Sequence, residues 1–471
     1  MWHSYKPMPP GTNVASAWSE VPLSDLKLLT DVTVTDGRGQ AIIRQQIFDE
    51  VFRIIDTAQE FIVLDWFLFN GHRGSAGDDA PAVHRALSNE LRERLLARRA
   101  ALPELRVLFI TDPINDIYGS VPSADLDALR AGGVDIVLTD LDRLRDSNPI
   151  YSALWRLAIK WWTDGAQGAG SLPNPLDTGP AKLSLHAWLR LLNFKANHRK
   201  LIVADNGAGR LVALVTSANP HDASSAHSNI GLEFSGATAE AALASELAVA
   251  RFSGWTGDWQ LPAATVTAES TNVARLKLVS ESAIKDSLLS AIRTTEAGES
   301  ILIAIFYLSD RDTVDQLIDA AARGVRIRLM LDPNKDAFGR IKDGVPNRPV
   351  AAELRRRSGG RIEIRWYRTH GEQFHTKLAL VQRADSLFAL LGSANFTRRN
   401  IDGYNLETNV ALETGLATPL AQQLIDYFET LWQNDPVALR EFTTDFPTYE
   451  DQSFTRYWRY RLMEATGLST F

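Results

Sequence analysis

The feature that most restricts how this chain can fold is that its sequence contains one pattern twice. In the first half FIVLDWFLF (Phe61 to Phe69) precedes LRVLFITDPINDIYG (Leu105 to Gly119); in the second, ILIAIFYL (Ile301 to Leu308) precedes VRIRLMLDPNKDAFG (Val325 to Gly339). Each copy sets Asp-Pro after an apolar strand, then an Asp, an aromatic residue and a Gly. Each continues with a helix and another strand, around Ala124 to Leu138 and Ala351 to Trp366, and ends in a hairpin bearing one histidine. A duplication on this scale fixes the architecture before any single element is read. Apolar strands alternating with amphipathic helices, such as Gln45 to Ala58 and Thr313 to Ala322, indicate an α/β fold. The expectation is two similar α/β sandwich lobes, mixed sheets flanked by helices, related by a pseudo-twofold axis. The first lobe is expected to span 1–258, with a Trp-rich insertion at 149–193, and the second 259–471, because the stretch from Trp255 to Arg275 loses clear periodicity.

Composition removes several functional classes. With 45% hydrophobic and 23% charged residues over 471 positions, the chain is built like an ordinary globular protein. The absence of cysteine excludes disulfides, thiolate nucleophiles, cysteine zinc sites and iron–sulfur ligation. A formal charge of −7 lacks the global positive field of a duplex-binding protein, which disfavours nucleic acid as a partner. No run approaches the roughly 18 apolar residues of a bilayer span. The start, MWHSYKPMPPGTNVAS, has no secretory-signal pattern, so the expected location is cytoplasmic, with peripheral contact at the inner membrane face.

The chemistry concentrates in the two hairpins, NHRKLIVADNGAGRLVALVTSAN (Asn197 to Asn219) and FHTKLALVQRADSLFALLGSAN (Phe374 to Asn395). Strand side chains alternate faces, so His198 projects with Lys200 and His375 with Lys377. Folding each hairpin about its turn sets Ser217 opposite His198 and Ser393 within a residue of His375, with Asn219 and Asn395 just beyond. Each half then offers an imidazole, an ammonium, a hydroxyl and an amide at one end of a hairpin, a set suited to a phosphate. One His-x-Lys recurs by accident; this whole set occurs once in each half.

These residues resemble the phospholipase D superfamily, nearest to bacterial phospholipase D and cardiolipin-synthase-like proteins, whose His-x-Lys-x4-Asp signature is followed by a Gly/Ser-Ser-x-x-Asn-like segment and occurs twice. The first copy is His198, Lys200 and Asp205 with Ser217 and Asn219. The second is His375 and Lys377 with Ser393 and Asn395, but Gln382 stands at the acidic position. Seven residues after the histidine is an odd offset, so Asp205 and Gln382 are expected to point away from the site as structural positions. The resemblance implies a metal-independent, cofactor-free, two-step displacement at a phosphodiester through a covalent phosphohistidine. By the same resemblance His198 is the nucleophile and His375 the general acid and then base, Lys200 and Lys377 neutralise charge on the non-bridging oxygens, and Ser217, Asn219, Ser393 and Asn395 donate hydrogen bonds to them. The family also carries an acidic residue that orients each histidine, for which Glu407 and Glu233 are the candidates.

The insertion bears on the substrate. Asn148-Pro149 reads as a helix start, after which Leu154, Trp155, Ala158, Trp161 and Trp162 share a face, and Leu185, Trp188, Leu189 and Leu192 share another. Trp and cations on amphipathic helices suit a lipid interface as well as a lobe core. The aromatic and basic run Phe454 to Ala465 allows the same two readings. A phospholipid is therefore the expected substrate, hydrolysed or exchanged. A nuclease-type phosphodiesterase and a noncatalytic phosphate-binding module are the alternatives.

Overall fold

The computed structural model describes residues 2–36, 41–72, 85–163, 170–174, 181–259, 272–337, 340–435, 440–469 and 471. Two large mixed sheets dominate it. The first runs in the order Ala41–Arg44, Lys27–Thr35, Asn229–Ser235, Leu211–Thr216, Lys200–Asp205, Phe61–Trp66, Arg106–Thr111 and Asp135–Leu138. The second runs Ser19–Pro22, Val273–Ser280, Thr408–Gly415, Ser386–Gly392, Lys377–Gln382, Ser300–Ile305, Arg326–Leu331, Ile362–Tyr367 and Thr443–Asp445. Without the edge strands Ala41–Arg44, Ser19–Pro22 and Thr443–Asp445, the two orders coincide strand for strand. In each, the strand before the first helix crossover pairs in parallel with the next one and antiparallel with the histidine-bearing hairpin.

The central strands are apolar on both faces, as sheets covered by helices require. FIVLDW at Phe61–Trp66 and SILIAI at Ser300–Ile305 are buried at every position. Helix Ile47–Thr57 packs Phe48, Val51, Phe52 and Ile55 against the outer face of the first sheet. Helix Arg311–Ala322, capped by the Asp310 carboxylate accepting from Thr313 N at 2.9 Å, does the same for the second. Between the sheets lies one continuous core that includes Leu201, Val203 and Val215 from one side and Leu378, Leu380 and Leu391 from the other, with residues of helices Ala237–Phe252 and Pro419–Gln433.

The N-terminal segment crosses the expected division into two lobes. The N-terminal strand Ser19–Pro22 pairs antiparallel with Val273–Ser280 and so extends the second sheet, although the chain then crosses to build the first. Val21 is fully buried in the core between the sheets, which gives this crossing its apolar driving force. The expected junction at 258 adjoins 260–271, which lie outside the described residues.

Candidate active site

The two hairpins meet at the centre of the molecule through short parallel pairings. Asn197 bridges Leu406, and Phe374 bridges Ser228. His198 N donates to Leu406 O at 2.9 Å, and Ser228 N donates to Gln373 O at 3.1 Å. Behind each pairing a buried carboxylate grips the backbone just before the histidine: Asp112 Oδ2 accepts from Asn197 N at 2.7 Å, and Asp332 Oδ2 from Phe374 N at 2.8 Å. The same two aspartates close their own turns on Ile114 N and Asn334 N. The Asp-Pro repeat is thus a turn and also a clamp on the histidine strand. Burial pushes Asp112 up to about 7 and Asp332 to about 6.

Each histidine is oriented by the other half of the chain. His198 Nδ1 lies 2.8 Å from Glu407 Oε1, a carboxylate with no solvent exposure that also accepts from Ser393 Oγ and Asn400 Nδ2. His375 Nδ1 lies 3.1 Å from Asn229 Oδ1, which accepts from Ser217 Oγ at 3.0 Å. Asn229 Nδ2 donates to His227 O at 3.0 Å, which fixes its Oδ1 as the acceptor. Both Nδ1 atoms therefore carry the proton and leave Nε2 as the lone-pair nitrogen. The arrangement is pseudo-symmetric in geometry and asymmetric in charge, with a carboxylate behind His198 and a neutral amide behind His375.

The lysines fold back beside their histidines. Lys200 Nζ donates to His198 O at 2.6 Å and Lys377 Nζ to His375 O at 2.8 Å. Matching phenylalanines wall them in: Phe67 lies 4.8 Å from the His198 ring and 5.2 Å from Lys200 Nζ, and Phe306 lies 5.2 Å and 5.3 Å from His375 and Lys377 Nζ. Burial drives His198 down to about 4 against the pull of Glu407, and Lys200 down to about 7. Burial also lowers His375 and Lys377 well below their usual values, reinforced by the neighbouring cations, Lys377 and Lys200 respectively. Each of the four groups feels the charge of a group from the other half, so they form one electrostatic unit. Such a unit, with two ammoniums and two imidazoles largely stripped of water, is short of an anion.

The structure brings His198, Lys200, His375, Lys377 and Glu407 to this centre, and Asn219 and Asn395 follow directly on the residues across from the histidines. Asn219 Oδ1 accepts from Leu68 N at 3.2 Å, and its Nδ2 makes no hydrogen bond among the described residues. The Asn395 amide oxygen is buried with no partner among the described residues. Three expectations are corrected. Ser217 and Ser393 do not offer their protons to a ligand, because those protons go to Asn229 and Glu407. The first hairpin ladder runs one residue out of the expected register, with Val215 paired to Leu201, so continuing it puts Ala218 across from His198; in the second, Leu391 pairs with Leu378, which puts Ala394 across from His375 and Ser393 within a residue of it, as expected. Glu233 orients no imidazole: it pairs with Arg53 at 2.8 Å, and burial beside Glu50 raises it to about 7. Ile230, Leu232 and Phe234 fill the core on one face of its strand, so Glu233 projects from the other.

Asp205 lies at the far end of its hairpin and accepts from the backbone N–H of Gln59, Glu60, Phe61 and Gly207. Burial alone would raise its carboxyl, but these four donors hold it below the usual range. The second copy manages without the carboxylate, because there Gly298 N donates to Gly324 O and Glu299 N to Glu296 O. Among the described residues no cluster of His, Asp or Glu has the arrangement of a metal site.

Residues 288–432, which include the second hairpin and Glu407, match the family model described as cardiolipin synthase, PLD-like domain. The chain carries a phospholipase D-like domain. Its fold is similar to that of phosphatidylserine synthase from Haemophilus influenzae Rd KW20, with 12% identity, 97% of each chain covered and a TM-score of 0.53. Polyphosphate kinase from Porphyromonas gingivalis aligns at 13% identity over 94% of this chain and 53% of its own, with a TM-score of 0.45. The phospholipase D family member Nuc from Salmonella typhimurium aligns at 20% identity over 34% of this chain and 95% of its own, with a TM-score of 0.28. No curated protein matches the chain in sequence. The likeness to the synthase is one of fold, two mixed sheets flanked by helices, and covers 97% of the chain, whereas the family model covers residues 288–432.

Proposed function

We propose that this phospholipase D-like chain cleaves or exchanges a phospholipid phosphodiester in two steps, with His198 as nucleophile and His375 as general acid and then base. The observation that carries the assignment is the asymmetry of the orienting pair. A neutral His198 attacks phosphorus through Nε2 and becomes cationic as the P–N bond forms, and the Glu407 carboxylate at 2.8 Å stabilises that charge. The P–O bond to the leaving alcohol breaks, and His375 gives its Nε2 proton to the departing oxygen. Asn229 holds that ring without adding a negative charge, so His375 binds its extra proton weakly and surrenders it readily. Water or an alcohol then gives its proton to neutral His375 and attacks phosphorus, and the P–N bond breaks. Lys200 and Lys377, with the amides of Asn219 and Asn395, carry the charge on the non-bridging oxygens.

A membrane as the source of substrate is supported by the outer surface. Three segments converge on residues 146–148: Asp146 N donates to His3 O at 2.9 Å, helix Pro149–Leu154 begins there, and the turn at Gly467 packs against Ser147. Around this junction Trp2, Tyr5, Ile150, Leu154, Leu157 and Trp161 are exposed, and helix Phe454–Thr466 exposes Phe454, Trp458 and Leu462. Trp155 is buried, so the expected single face divides between packing and solvent; the Trp162 side chain lies outside the described residues. Lys195, three residues before His198, is paired with Asp146 at 2.9 Å, so this apolar surface abuts the active strand. Among the described residues no helix is long and apolar enough to cross a membrane.

The test is turnover of mixed phospholipid vesicles, with and without glycerol, by wild type, His198→Ala and His375→Ala. Lipid products from wild type and none from either folded variant are expected. Intact turnover in either variant overturns the reading.

A further inference from the structure

The pseudo-twofold symmetry breaks beside His375. Trp66 pairs with Lys200 and Ile305 with Lys377, so Phe67 corresponds to Phe306 and Leu68 to Tyr307. In the first copy the second position is aliphatic. In the other copy the Tyr307 ring lies 3.9 Å from Phe306, and its hydroxyl is bonded to the ammonium of Lys342. Lys342 follows the small hairpin of Asp336–Ala337 and Arg340–Ile341, and its backbone N donates to Lys335 O at 2.8 Å. Its Nζ is 5.1 Å from the Tyr307 ring centre and 5.8 Å from that of Phe306.

Phe306 is itself 5.2 Å from the His375 ring. Adding the last two steps gives an upper limit of about 11 Å between the Lys342 ammonium and that imidazole, one short linker away. Lys342 is half-buried and pairs with no carboxylate among the described residues. The neighbouring Asp343 pairs with Arg459, and Asp336 with Thr369 and Lys335. An ammonium fixed by a hydroxyl and an aromatic face, with no acid partner, is a fixed positive charge awaiting an anion.

We propose that Lys342 and Tyr307 form a second anion subsite that receives a negatively charged group on the alcohol leaving or entering at phosphorus. The inference rests on the reading of His375 as the residue that handles the alcohol proton, and it narrows that alcohol to the class bearing a phosphate or a carboxylate. A neutral alcohol finds no partner for the charge there.

The test separates this subsite from the reaction itself. Propyl phosphate fills one anion site, and a bisphosphate of propanediol reaches two. Calorimetry of wild type is expected to give at least about tenfold tighter binding of the bisphosphate, and Lys342→Gln or Tyr307→Phe removes that advantage while Lys342→Arg keeps it. In transfer assays Lys342→Glu shifts acceptor preference from glycerol phosphate toward choline. Equal binding of the two ligands by wild type, including failure to bind either, overturns the subsite. The same holds if the tenfold advantage persists in Lys342→Gln. A failed phosphodiester reading shows elsewhere, as unchanged turnover in the histidine variants.

Discussion

Anion binding between the two His-x-Lys motifs should draw protons from solvent. Burial holds Lys200 at about 7 in the empty centre and lowers Lys377 well below its usual value. A phosphodiester seated between them favours the charged form of both, since an opposite charge within about 4–6 Å stabilises the ion. At pH 8 an amine with a pKa of about 7 is only about one-tenth protonated, so saturation with ligand returns about 0.9 proton to Lys200 alone. At pH 6 the same group begins about nine-tenths protonated and takes up about 0.1. Binding raises the pKa, so the affinity is fullest below about 7 and is lost as pH rises, by about tenfold per unit for each proton, or about 1.4 kcal/mol. Lys377 and His375, both lowered by burial and by neighbouring cations, titrate in the same direction when the anion binds. Titration calorimetry with a non-hydrolysable phosphonate diester, in two buffers of different ionisation enthalpy, reads the proton count as a slope. Saturable binding with no slope at pH 8 would refute the reasoning, because it would mean that the ammoniums were already charged or that the anion sits elsewhere.

Replacing Asp205 by Ala strands four backbone N–H donors, of which that of Phe61 is buried, and should cost on the order of 2 kcal/mol in denaturant unfolding, while the folded fraction keeps its specific activity. Gln382→Asp should leave turnover within an order of magnitude, since the second copy satisfies its loop without a carboxylate; a loss comparable to that of a histidine variant would contradict this. Glu407→Gln should lower turnover at least about a hundredfold with little change in ligand affinity. Asn229→Asp should raise the pKa of His375 and move the alkaline limb of the pH–rate profile upward, and an unmoved profile would show that His375 is not the titrating acid. Trp161→Ser combined with Trp458→Ser should weaken co-sedimentation with phospholipid vesicles by at least about tenfold without altering hydrolysis of a soluble diester.

Much of this was legible because the repeat ties distant residues to one pattern. His198 with Lys200 and His375 with Lys377 stand at equivalent ends of hairpins, and duplication alone indicated two matching sheets. The crosswise pairing was not legible, because it depends on how two copies dock. Glu407 serves the histidine of the other half, and no spacing within one half carries that information. The error at Glu233 has a physical origin: matching an acid by letter ignores strand alternation. Val410 and Leu412 lie in the same core as Ile230, Leu232 and Phe234. Ser393 N and Ser217 N donate to Thr408 O and Ile230 O, which places Asn229, not Glu233, at the position of Glu407. Asp112 and Asp332 were recognisable as turn residues from Asp-Pro, but their grip on Asn197 N and Phe374 N arises from contacts that bridge 85 and 42 residues. The N-terminal strand is short and polar at Ser19 and Glu20, and gives no local sign of which sheet it joins.

The central claim is that one phosphorus passes through a bond to His198 while His375 moves the protons. The direct measurement is to mix His375→Ala with a diester whose leaving group departs without an acid, quench in base where a phosphohistidine survives, and map the adduct by mass spectrometry. The account expects one adduct per chain on the peptide containing His198, absent from His198→Ala. An adduct on the peptide containing His375 in the wild-type chain, or leaving-group release with no adduct on either histidine, would contradict it.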